Sequence, residues 1–98
     1  MGFSNLGKLD LSRSRPDKLI PSVTCADGFW ISIQGHDGAY SKPSDICYLI
    51  YQYDRMEIKV SAEVPELKKY QDGEGSTIYG YVPIELIENL LVTHGGIA

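Results

Sequence analysis

The sequence predicts an α+β domain: an antiparallel sheet of four to five strands with a C-terminal helix packed on one face. Three observations carry this. Two alternating runs flank Asp27-Gly28, a pair suited to a hairpin turn. Met56, Ile58 and Val60 alternate with Glu57, Lys59 and Ser61, the pattern of a half-buried strand. From Pro83 onward the apolar spacing changes to that of a helix.

Taken in chain order, residues 1–17 mix Gly, Ser, Arg and Asp around Leu6, Leu9 and Leu11 without a period. They are expected to form an irregular arm, with residues 18–98 as the single folded domain. Ile20–Ala26 is β-prone, and Phe29, Ile31 and Ile33 then alternate with Trp30, Ser32 and Gln34. A two-residue turn at Asp27-Gly28 would join the two runs, since Gly28 tolerates positive φ. Gly35–Asp45 reads as a polar loop, and Ile46–Tyr53 has the composition of a strand. Val64–Tyr70 allows one or two helical turns, with Pro65 at the first position. Thr77–Val82 reads as a strand with Tyr79 and Tyr81 on one face. The final helix begins at Pro83 and ends at Gly95-Gly96. Ile84, Ile87 and Leu91 would be buried, and Glu85, Glu88 and Asn89 exposed.

The 98 residues make one domain. No run approaches eighteen apolar residues, so no membrane span is expected. Met1–Ile20 lacks the apolar stretch of a secretory signal, and Leu6 breaks the myristoylation pattern after Gly2. Thirteen acids against nine bases give a net charge of −4, which disfavours general binding of duplex nucleic acid. Basic residues gather at Lys8, Arg13, Arg15 and Lys18. Cys25 and Cys47 lack the paired spacing of a metal or redox motif and are expected as buried, reduced thiols.

No catalytic motif emerges. His36 and Asp37 are neighbours in a loop with Ser41 nearby, but adjacent loop side chains seldom converge. His94 suits the negative end of the last helix. The Asp72–Thr77 loop lacks the Lys of a phosphate loop and the ligand pattern of a calcium loop. No His or Cys pair has zinc spacing. Neither metal nor cofactor is expected. The aromatics stand out instead: seven Tyr against two Phe and one Trp. Tyr suits surfaces that are half apolar and half wet, and Tyr and Trp are enriched at interfaces. The candidate binding surface comprises Trp30, His36, Tyr40, Lys42, Tyr48, Tyr79 and Tyr81, with Arg13 and Arg15 in the arm.

Ser32-Ile33-Gln34, Tyr40, Pro43, Val64-Pro65-Glu66-Leu67, Tyr70, Tyr79-Gly80-Tyr81-Val82-Pro83, Glu85 and His94-Gly95-Gly96 together resemble a group of small proteins encoded by bacteriophages and prophages. The resemblance spans about residues 28–96. The chain departs from the group's pattern at Ser41 and Ser44, and residues 46–53 look like added length. The resemblance implies a phage gene product in the cytoplasm of a bacterial host.

The functional expectation is a small non-enzymatic accessory protein that binds and inhibits a host protein, such as a component of a defence system. One alternative is a sponge for a signalling nucleotide, with Tyr and Trp stacking on bases and Arg13, Arg15 or Lys42 neutralising phosphate. A small enzyme or a structural phage component completes the alternatives. A homodimer is also expected, with Trp30 as anchor of an aromatic sheet face left uncovered by the helix.

Overall fold

The computed structural model describes residues 4–9, 11, 19–45, 47 and 50–98. Four strands form one antiparallel sheet in chain order: β1 (Val23–Thr24), β2 (Trp30–Gln34), β3 (Arg55–Val60) and β4 (Tyr79–Pro83). Helix α1 (Ile84–Thr93) follows β4 directly. The expected fold class is the one found. No helix among the described residues is long and apolar enough to cross a membrane.

Alternation sorts the sheet's two faces. Ile31, Ile33, Met56, Ile58 and Val82 point inward and are essentially inaccessible. Ile84, Ile87, Leu90 and Leu91 of α1 join them in the same core. The helix ends in a Schellman motif: Gly96 N–H donates to Leu91 O at 2.8 Å and Gly95 N–H to Val92 O at 3.0 Å. Both glycines have positive φ, as that motif requires.

The hairpin turn lies where the sequence places it, but its loop is longer. Cys25 N–H donates to Phe29 O at 2.7 Å, closing a three-residue loop over Ala26, Asp27 and Gly28. Only Gly28 there has positive φ, whereas a two-residue Asp-Gly turn needs it at both residues. The C-terminus then extends this edge, with Cys25 bridged to Ile97 and Ala98 N–H donating to Thr24 O at 2.9 Å.

Two local expectations are corrected. The strand expected over Ile46–Tyr53 is instead a 3-10 turn at Ile50–Gln52; positions 46, 48 and 49 lie outside the described residues. Tyr53 then turns fully into the core. Its hydroxyl oxygen lies 2.7 Å from both Gly35 O and Asp45 O, shares its proton between them, and accepts Cys47 N–H at 3.0 Å. The helical turns expected after Val64 are found, as a 3-10 helix, Pro65–Tyr70, with Pro65 at its start. Glu88, expected in solvent, is buried. Its carboxylate accepts Asn5 N–H at 3.1 Å, Asn5 Nδ2 at 2.8 Å and Leu6 N–H at 2.9 Å. Leu6 and Leu11, from the segment read as an arm, thereby reach the core.

Candidate functional site

The site begins with a bulge. Met56 pairs with Val82 but Ile58 pairs with Tyr79, so Gly80 and Tyr81 together face Glu57. The extra residue breaks the period of two. Tyr79 is consequently buried against the core, not on the binding surface with Tyr81 as the spacing predicts. Tyr81 takes φ 56°, a left-handed conformation that costs a bulky residue of order 1–3 kcal/mol.

Two hydrogen bonds to the Tyr81 backbone hold that conformation. Tyr81 N–H donates to Tyr40 O at 2.8 Å, and Arg55 Nη1 donates to Tyr81 O at 3.0 Å. Tyr40 arrives on the loop after β2, which is tied to β3. Tyr40 N–H donates to Glu57 Oε1 at 3.0 Å, and Lys42 N–H donates to Arg55 O at 2.9 Å. Gly80 makes room for it: a Cβ there would meet Tyr40 Cβ at 2.9 Å. The Tyr40 and Tyr81 rings lie 5.9 Å apart, tilted by 42°, and are 43% and 49% exposed.

These two rings line a cleft of about 480 Å³ together with Arg55, Gly80 and residues 69–72. The second wall is the end of the Pro65–Tyr70 helix, where Lys69 Nζ sits 5.4 Å from the centroid of the Tyr70 ring. Among the described residues, no carboxylate pairs with Arg55 or Lys69. The cleft thus joins three aromatic rings to two cations free to receive an anion.

Among the described residues of the expected surface, the structure brings only Tyr40 and Tyr81 together. Trp30 is 41% exposed but pairs with Thr24, four residues along β2 from Gln34, which faces Glu57. At a rise of ~3.3 Å per residue, that is about 13 Å away along the strand. Ser32 and Lys59 pair between them, so the outer face is not the continuous aromatic surface expected. His36 is a turn residue: its Nδ1 accepts Gly38 N–H at 3.0 Å. The Ser41 hydroxyl donates to Pro43 O at 2.9 Å. Lys42 is exposed and does not line the cleft. Tyr48, Arg13 and Arg15 lie outside the described residues. Arg55, Lys69 and Tyr70 were not selected from sequence, and no local pattern in the sequence singles them out.

A second polar cluster has a structural task. His94 Nδ1 donates to Asp27 Oδ2 at 2.7 Å, and the imidazole stacks on Phe29 at 3.8 Å between centroids. The Phe29 backbone N–H, and then His94, hold the Asp27 carboxyl below its ordinary value of 3.8. The neighbouring Cys25 thiol is pushed upward, by burial first and by Asp27 second, so it stays protonated and unreactive. Because Asp27 is lowered on folding, its stabilisation is fully present above the unfolded value and lost as pH falls through the folded one. Thermal midpoints measured from pH 6 downward should therefore drop below about pH 4, and Asp27→Asn should flatten that part of the curve. An unchanged acid limb in the variant would contradict this assignment.

Comparison with protein families, curated proteins and solved structures finds no match to this chain.

Proposed function

We propose that this chain is a non-enzymatic binding protein whose working surface is the Tyr40–Tyr81 cleft and whose ligand is a small nucleotide. The carrying observation is Tyr81. A bulky residue held at positive φ, with its ring half exposed beside two unpaired cations, is a conformation kept for what the ring does. Bases stack on tyrosine faces, and Arg55 and Lys69 supply charge for phosphate. The volume of about 480 Å³ falls within the ~300–1,000 Å³ typical of small-molecule sites.

Calorimetric titration with AMP, GMP, CMP and UMP tests this reading. Wild type should bind at least one of them, and Tyr81→Gly should bind it about tenfold or more weakly. The same variant should be no less stable than wild type, because Gly adopts positive φ without strain. Absence of binding at millimolar nucleotide would overturn the proposal.

The second reading is capture of a host protein, in keeping with the phage resemblance. Trp30 favours it, being an exposed indole outside the cleft and of the residue type that most often anchors interfaces. With a purified partner in hand, Trp30→Ala should weaken the complex at least tenfold and leave nucleotide binding intact. A partner held equally well by the variant would contradict this reading.

A further inference from the structure

The cleft's lining holds one carboxylate, Asp72, beside its two cations, and that carboxylate selects a base. The β3–β4 wall carries the Arg55 guanidinium, whose Nη1 donates to Tyr81 O at 3.0 Å. On the opposite wall, beside Lys69, stand the Gln71 amide and the Asp72 carboxylate. Gln71 donates one Nε2 hydrogen to Ser76 O at 2.9 Å, and keeps its second N–H and its Oε1. The Asp72 backbone is fixed by N–H donation to Ile78 O at 2.9 Å. Its exposed carboxylate has no hydrogen-bond or ion-pair partner among the described residues. A carboxylate opposes the binding of a simple anion. Its place on the lining is accounted for by a ligand that offers hydrogen-bond donors at the end away from its negative charge.

We infer that the cleft is selective for guanine nucleotides, with Asp72 accepting from the base and the cations from Arg55 and Lys69 receiving the phosphate. This rests on reading the cleft as a nucleotide site. Guanine presents its ring N–H and exocyclic amino group side by side, two parallel donors that match the two oxygens of a carboxylate. Adenine presents one amino donor beside a ring nitrogen acceptor, which a carboxylate repels. The carboxylate thus attracts guanine's donor edge and repels the ring-nitrogen acceptor of adenine, and this difference in pairing discriminates between the two bases.

The test compares GMP, AMP and inorganic phosphate by calorimetry on wild type and Asp72→Asn. Wild type should bind GMP about tenfold or more tightly than AMP, and inorganic phosphate more weakly than either. Asp72→Asn should bring the GMP:AMP ratio below about threefold by weakening GMP and not AMP, since an amide offers only one acceptor. Asp72 is exposed in a loop, so the variant should keep the wild-type thermal midpoint. Equal binding of GMP and AMP by wild type, or a preference that survives Asp72→Asn, overturns the guanine assignment and leaves the nucleotide reading standing. Failure of GMP and AMP while CMP or UMP binds overturns the guanine assignment alone, and failure of all four nucleotides overturns the two together.

Discussion

Gly35→Ala is expected to lower the stability of the domain by about 3 kcal/mol or more. The reason lies in what the missing side chain admits. A Cβ at position 35 would lie 2.5 Å from Tyr53 Cε1, 2.6 Å from Cζ and 2.9 Å from the hydroxyl oxygen. Tyr53 has no free space into which to retreat, being wholly buried. A ring that shifts also withdraws its hydroxyl from Gly35 O, Asp45 O and Cys47 N–H. Those groups close the loop between β2 and β3, and a buried group left unpaired costs about 1–3 kcal/mol. Tyr53→Phe isolates that second effect and should cost about 2 kcal/mol. The double variant should cost less than the sum, because both changes break one network. Urea denaturation with thermal melts measures all three. A Gly35→Ala midpoint within about 2 °C of wild type would show that the ring is not held as described.

Glu88→Ala is the second large effect, at about 2–4 kcal/mol. Glu88 lies at the fourth residue after Ile84, on the same stripe as Ile87 and Leu91. Its carboxylate fastens the Asn5–Leu6 backbone to α1, while Asn5 Oδ1 accepts Ile97 N–H at 3.1 Å. Truncation leaves buried donors without an acceptor and releases the segment that carries Leu6 into the core. Amide exchange should accelerate first at Leu6 and Ile97, ahead of β2 and β3. Exchange that accelerates uniformly across the sheet would mean that Glu88 stabilises the domain as a whole and not this latch.

The sequence showed the meander and its terminal helix because those elements obey their periods. Phe29–Gln34 and Met56–Ser61 alternate cleanly, and Gly95-Gly96 marks the helix end. What it hid are the places where one polar group overrides a pattern. Glu88 occupies a core position in the helical stripe, yet its charge argues for solvent until Asn5 and Leu6 arrive from far along the chain. Tyr53 sits in a run with strand composition, but three backbone groups of the preceding loop converge on its hydroxyl and pull it inward. The cleft was half legible. Tyr40 and Tyr81 drew notice as excess tyrosines. The bulge that buries Tyr79 and presents Tyr81 has no local signal beyond Gly80, whose need to be small arises from Tyr40 above it. Arg55 and Lys69 looked like ordinary surface charges because their common destination depends on the packing of the Pro65–Tyr70 helix beside β4.

The most direct test of the central claim is where a ligand perturbs the folded protein. In an amide NMR titration with GMP and AMP, the largest shifts should fall on Tyr40, Arg55, Lys69 to Asp72, Gly80 and Tyr81, and saturate along one binding curve. Shifts centred on Trp30 or on the Asp27–His94 pair, or none at millimolar nucleotide, would contradict the assignment of this cleft as the working surface.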